Sequence, residues 1–315
     1  MTGWSHALVT GGAGFIGSHL ARALLADGRA VTVLDNLSVG RRDAVPGGAR
    51  FVHGDIRDAA AVGTALRGVD CVFHLAAQVT IRGSFERFYD DLDTNVMGTA
   101  CLLRAVDPAT VKWFTLASSM AVYADAPSPA PIDERHPTQP ISPYGIGKLA
   151  AEGVSRQILA AGGIPFTALR FFNTFGPGQL YTPYVGVLTI FLTRLLGGED
   201  ITIFGDGEQQ RDFVHVADIV AGAIGATGRA AGTFNLGTGR GTSLNQLARL
   251  VLDRLAPGTE ARHGAAQPGE LRFSVANIDA ARRAFGFAPS RSLERDLDEV
   301  IEAVKATSGA TRRPE

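Results

Sequence analysis

Cysteine and lysine are scarce in this sequence, and long apolar runs are missing. Two cysteines in 315 residues, Cys71 and Cys101, do not make a disulfide framework, and buried thiols in a reducing cytosol are the ordinary reading. No stretch reaches the ~18 apolar residues that a membrane span needs. The start of the chain lacks the basic opening and small-residue cleavage site of a secretory signal, so a cytoplasmic location is expected. The formal net charge is −1 with both signs interspersed. That leaves no basic patch of the kind nucleic-acid and membrane-surface proteins carry. No internal repeat or low-complexity block is visible. Of the 30 basic residues only Lys112, Lys148 and Lys305 are not arginine, so the position of each lysine carries information.

Short apolar runs alternate with helical periodicity. The runs fall at 7–10, 30–34, 50–53, 69–76, 111–117 and 166–172. Helix patterns fall at 15–27, 59–66, 91–106 and 148–160. This alternation predicts an α/β chain with a doubly wound (Rossmann) parallel sheet, covered by helices and binding its ligand at the carboxyl ends of the strands. After residue 173 the pattern loosens. A Gly-, Pro- and Tyr-rich stretch at 173–186 leads to a helix at 188–196, a late strand at 233–236, and two or three helices around a loop at 264–270. The expected organisation is a first domain over 1–172 with a segment returning near 211–240. A smaller mixed C-terminal lobe for substrate, from 173–210 and 241–305, and a disordered tail at 306–315 complete it.

Residues 10–17 read TGGAGFIG, between the first strand pattern and the first helix pattern. Gly11, Gly14 and Gly17 give one glycine register, and Gly12, Gly14 and Gly17 another. In either, glycine permits the sharp turn, the close approach of a pyrophosphate and tight helix packing, while the helix N-terminus faces the phosphates. A glycine-rich β–α turn with no ligand is the plain alternative. Asp35 closes the next strand at the distance expected of an acid that binds the adenosine ribose. An acid there repels a 2′-phosphate, which favours NAD over NADP, although Arg41 and Arg42 follow closely. Asp55 and Ile56 follow a strand where an adenine amino group would be met, and Leu75, Ala76 and Ala77 are small enough to admit a nicotinamide ribose. Ordinary turn and packing roles remain open for these positions.

Two hydroxyls end the stretch ASSMAVY at 117–123, and SPYGIGK at 142–148 places Tyr144 and Lys148 four residues apart, on one helix face. Free tyrosine, with a pKa near ~10, is a poor base at neutral pH. A cation ~5 Å away is worth about 3 kcal/mol at an effective dielectric of ~20, or roughly 2 pKa units. Lys148 and an oxidised nicotinamide together would bring the phenol toward neutrality, where a general base works best. One of only three lysines falls on this spacing.

These stretches, with GDIRD at 54–58, HLAAQ at 74–78, RFFNTFGPGQ at 170–179 and RDFVHVADI at 211–219, resemble the extended short-chain dehydrogenase/reductase family. They are most similar to its nucleotide-sugar 4-epimerases, of the UDP-galactose 4-epimerase type. The resemblance runs over roughly residues 5–300 with the motifs in order. It implies an isomerase in which Tyr144 takes the proton of the sugar 4-hydroxyl, Ser119 hydrogen-bonds the same oxygen, and Lys148 holds the ribose and tunes Tyr144. It implies Phe15, Ile16, Asn36, Asn95 and Phe172 beside the NAD, with Asn173, Phe204 and Arg211 toward the nucleotide-diphosphate sugar. A turn cap and a helix-face charge are the plain alternatives for Asn173 and Arg211. Related 4,6-dehydratases carry Asp-Glu, and related decarboxylases Glu, just after the hydroxyl residue; here Met120 and Ala121 stand there. The family often has an arginine before Pro-Gly-Asp, where this chain has Gln267; Arg272, five residues on, is a substrate-binding candidate, in its place or toward a different group. UDP-hexose or UDP-uronic acid is favoured, with dTDP-6-deoxysugar possible. A net NAD-dependent oxidoreductase is the alternative activity, and a non-catalytic NAD-binding protein ranks last. No metal is called for. The resemblance also implies a homodimer packed through helices near 91–106 and 145–160.

Overall fold

The structure is a computed structural model that describes residues 3–182, 186–266 and 271–310. Seven parallel strands form the central sheet. They are β1 (His6–Thr10), β2 (Ala30–Asp35), β3 (Arg50–His53), β4 (Cys71–His74), β5 (Trp113–Ser119), β6 (Phe166–Phe171) and the late strand Gly232–Leu236. In space the late strand comes first, followed by β6, β5, β4, β1, β2 and β3. The order reverses between β1 and β4, and this switch point is where an open α/β sheet opens a crevice at its carboxyl ends. The inner strands are buried on both faces, as a helix-covered parallel sheet requires, while the edge strand β3 is partly exposed.

Most elements fall where periodicity put them, with informative shifts. β4 ends at His74 rather than at residue 76: Leu75 N still donates to Thr10 O at 3.2 Å, but Ala76 N turns to Thr10 Oγ at 3.1 Å. β5 lies two residues later than expected and so delivers Ser119 at its very end. The helix expected over 91–106 begins at Phe88 and runs as Phe88–Leu92, a π-helical segment Asp93–Gly98, and Thr99–Ala105. The helix Pro143–Ala161 starts five residues earlier than its pattern. Ser142 caps it by accepting from Gly145 N at 3.1 Å, and Pro143 presets its first turn.

The smaller C-terminal lobe is mixed. Asn173–Phe175 pairs with Phe213–His215, Gln210–Arg211 lies between Thr242–Ser243 and Phe273–Ser274, and Thr202–Phe204 pairs with Arg262–Gly264. Helices Val187–Leu196, Leu244–Leu255 and Leu293–Ala310 bury Phe191, Leu247, Val251, Leu297 and Ile301 in a core of their own. The last helix enters the 306–315 stretch expected to lack structure, since its ladder continues through Ala310; residues 311–315 lie outside the described residues. Among the described residues no helix is long and apolar enough to cross a membrane.

Candidate active site

A cleft of about 910 Å³ opens at the switch point and runs between the sheet and the C-terminal lobe. Its floor is the glycine loop. Gly11 takes φ +69°, and a Cβ there would meet Ala76 N at 2.8 Å; a Cβ on Gly17 would meet Gly11 O at 2.2 Å. Gly14 is the N-cap of the helix Phe15–Ala26. The register 11–14–17 therefore builds the cradle, while Gly12 turns its missing side chain toward Val33. Asp35 fastens the loop: its Oδ2 accepts from Ala13 N at 3.0 Å and its Oδ1 from Leu37 N at 2.8 Å.

Phe15, Ile16, Asn36, Asp55, Ile56, Leu75, Ala76, Ala77 and Phe172 line the same cleft with Gly11, Gly14, Gly17 and Asp35. Asn36 Nδ2 donates to Asp55 Oδ2 at 2.9 Å, and Arg57 holds both Asp55 oxygens and keeps that carboxyl well below the ordinary range. Ser119, Tyr144 and Lys148 stand on the opposite wall. Asn173, Phe204 and Arg211 come from the far side, the last two from the C-terminal lobe. Asn173 Oδ1 is buried without a hydrogen-bond partner, an acceptor with a place for a donor.

Two expected residues do not reach the wall. Asn95 is buried behind it: its Oδ1 accepts from Gln78 N at 2.9 Å and its Nδ2 donates to Gln78 O at 3.1 Å. The π-helical segment presents Asn95 to this backbone, so it shapes the wall instead of touching a ligand. Arg272 spends its guanidinium on Asp206, through two bonds of 2.8 Å, at the surface. Gln267 lies outside the described residues.

Sequence reading also missed His74, which is fully buried. Thr99 Oγ donates to Asn95 O at 2.7 Å, so toward His74 Nε2, at 2.9 Å, it is the acceptor. Thr10 Oγ accepts from two amides and therefore donates its single proton to Nδ1, at 2.7 Å. The imidazole is thus neutral with its proton on Nε2, and burial pushes its pKa down to about 3. The chain Thr10–His74–Thr99–Asn95–Gln78 ties the root of the glycine loop to the wall beside it. Its signal in the sequence is a histidine at the end of an otherwise apolar strand.

Burial pushes the Tyr144 phenol up to about 12, with hydrogen bonding from Ser119 pulling the other way and the Asp91 charge adding to the rise. Burial likewise pushes Lys148 down to about 8, against the charges of Asp91 and Glu152. Lys148 Nζ donates to Ala117 O at 2.9 Å. The expected lowering of Tyr144 is that of Lys148 and an oxidised nicotinamide together; in the protein alone desolvation dominates and holds the phenol up. Met120 and Ala121, both buried, leave no acid next to Ser119.

The NAD dependent epimerase/dehydratase family matches residues 7–237, from β1 through the late strand. The chain belongs to this family. Its cofactor is NAD; bare glycines let the loop pack against Ala76 and the helix against Gly11, which leaves the helix N-terminus at Gly14 facing the cleft, as a dinucleotide requires. Among the relatives of this NAD dependent epimerase/dehydratase, the UDP-glucose 4-epimerase of Lactobacillus helveticus is 36% identical over 93% of this chain and 94% of its own length. The UDP-glucose 4-epimerase of Thermotoga maritima, solved with UDP-glucose, is 36% identical and superposes with a TM-score of 0.92 over 96% of this chain and 99% of that one. A UDP-N-acetylglucosamine 4-epimerase from Methanobrevibacter ruminantium, in complex with UDP-N-acetylmuramic acid, is 31% identical with a TM-score of 0.90, covering 98% of this chain and 100% of that one.

Proposed function

We propose that the chain inverts C4 of a UDP-hexose through a transient 4-ketone, with Ser119, Tyr144 and Lys148 as the catalytic set. One observation carries the reading: the Tyr144 and Ser119 hydroxyls share one cleft with a dinucleotide cradle, with Met120 and Ala121 where an eliminating acid would stand. NAD held by residues 11–17, 35–36, 55–56 and 75–77 supplies reversible hydride acceptance. Tyr144, as phenolate, takes the 4-hydroxyl proton and later returns it. Ser119 donates to the same oxygen, and Lys148 places its charge beneath the phenol and the ribose. Bound NAD would add a positive nicotinamide charge, and with Lys148 this would lower the Tyr144 phenol as the protein alone does not. Arg211 and the Nδ2 amide of Asn173 meet the nucleotide diphosphate, and the unpartnered Asn173 Oδ1 is left to accept from a donor elsewhere on the ligand.

The test is incubation of protein purified without added cofactor with UDP- and dTDP-sugars carrying neutral, N-acetylated and uronic rings, each followed by proton NMR. A C4 epimer forming without added NAD, and lost in Tyr144→Phe, is the expected result. Stoichiometric NADH with no epimer, when NAD is supplied, would make the chain a net oxidoreductase instead.

We also propose a homodimer. Phe88, Tyr89 and Met97 on the segmented helix, and Ile146 and Ile158 on the neighbouring one, are each more than half exposed, and exposed large apolar side chains on adjoining helices mark an interaction surface.

A further inference from the structure

A buried ion pair lies directly behind the catalytic side chains, and the mechanism above makes no use of it. Glu152 stands on the helix Pro143–Ala161, one turn past Lys148 and two past Tyr144, and is 2% exposed. Arg170 on β6 grips it with two prongs, Nε to Oε1 at 2.9 Å and one terminal nitrogen to Oε2 at 2.8 Å. Ser118 Oγ donates to the same Oε1 at 2.5 Å. Ser118 immediately precedes Ser119 and pairs with Arg170 in the sheet register. The guanidinium lies over the Tyr123 ring at 4.7 Å, and the Tyr123 hydroxyl donates to Asn235 Oδ1 on the late strand at 2.6 Å.

The catalytic groups come from two elements. β5 delivers Ser119, and the helix delivers Tyr144 and Lys148. Glu152 is where these elements are bonded through side chains, one residue from Ser119 on the strand and four from Lys148 on the helix. The pair is an expensive way to join them: a buried pair seldom adds stability over apolar packing, and the remaining Arg170 nitrogen is buried with no partner. It is also an electrical device. The charges facing Lys148 are Glu152 from its own helix and Asp91 from Phe88–Leu92; His74, from β4, is neutral. Arg170 sits behind Glu152 and partly cancels it, while Tyr123 and Ser118 contribute no charge.

We propose that Glu152 and Arg170 are positioning residues for the epimerase reaction. They fix the register of Ser119 against Tyr144 and Lys148, and together they set the charge that Lys148 feels. The proposal rests on the catalytic reading given above.

The test is the pH profile of kcat in the holoenzyme for Glu152→Gln, Glu152→Asp and Arg170→Met. Glu152→Gln removes the anion and leaves Arg170 uncancelled, so the alkaline limb moves to lower pH by roughly 1 unit. Arg170→Met leaves Glu152 uncancelled, so the same limb moves to higher pH. Glu152→Asp keeps the charge but is too short to bridge, so kcat falls about 10–100-fold, as for a misplacement of about 1 Å, with KM and the limb unchanged. Opposite shifts from two variants that break the same pair cannot come from loosened packing. Limbs that stay put, or move together, in Glu152→Gln and Arg170→Met would overturn the proposal, and so would full kcat in Glu152→Asp. If Arg170→Met does not fold, the two Glu152 variants decide alone. Tyr144→Phe keeps the questions apart: activity surviving there overturns the catalytic reading, whereas its loss beside unshifted limbs overturns only this inference.

Discussion

Tyr144 has its ordinary acidity reversed by burial. In the protein alone its phenol is held up to about 12, so tyrosinate absorbance attributable to Tyr144, measured as wild type minus Tyr144→Phe, is expected to be absent at pH 9. Saturation with NAD is expected to bring it in below that pH. A phenol that ionises no more readily with NAD than without would remove Tyr144 as base. His74 gives the second prediction at this scale. It is neutral in the fold down to about pH 3 but takes a proton near 6.5 when unfolded, so the unfolded chain binds more protons between those values. Stability is therefore expected to fall as pH drops through that window, by about 1.4 kcal/mol per unit for this residue. Urea unfolding at several pH values should show a slope that His74→Gln flattens. That Tyr144, Lys148 and Ser119 line one cleft was legible because a local spacing or a strand end places them. Asn95, His74 and Glu152 were not, because their partners lie 17, 64 and 18 residues away. Nor does anything nearby in the sequence show that Asp206 holds Arg272.

Among the elements, the helix Phe15–Ala26 depends on having no side chain at 17. A Cβ there would lie 2.2 Å from a backbone oxygen that cannot rotate away. Gly17→Ala is expected to cost about 1–3 kcal/mol in urea unfolding and to release NAD on gel filtration; unchanged stability with NAD retained would refute this packing. Periodicity found most helices and strands but not the π-helical turn at Asp93–Gly98. A local change of hydrogen bonding from the fourth to the fifth preceding carbonyl has no residue signature of its own. Nor could alternation end β4 at His74, because the cause is the hydroxyl of Thr10 on a neighbouring strand.

For the whole molecule, the sheet follows from alternation and short crossovers, whereas the C-terminal lobe was seen only in outline. Its strands are two or three residues long, too short to show a period of two. They form because Gln210–Arg211 is flanked on both sides. The exposed apolar side chains make a prediction at this scale. Phe88→Glu combined with Ile158→Glu is expected to halve the mass seen by light scattering at micromolar concentration. A wild-type monomer under the same conditions would end the dimer proposal.

The clamp of Asp35 on Ala13 and Leu37 has a kinetic consequence. A loop already fastened has little conformational freedom left to surrender when its ligand arrives, and affinity gained in this way appears chiefly as slow departure. The dinucleotide is then less a reagent drawn from solution than a resident part. A catalyst that restores its own oxidant within each turnover, and seldom exchanges it, runs at a rate indifferent to whether the surrounding nicotinamide pool is oxidised or reduced.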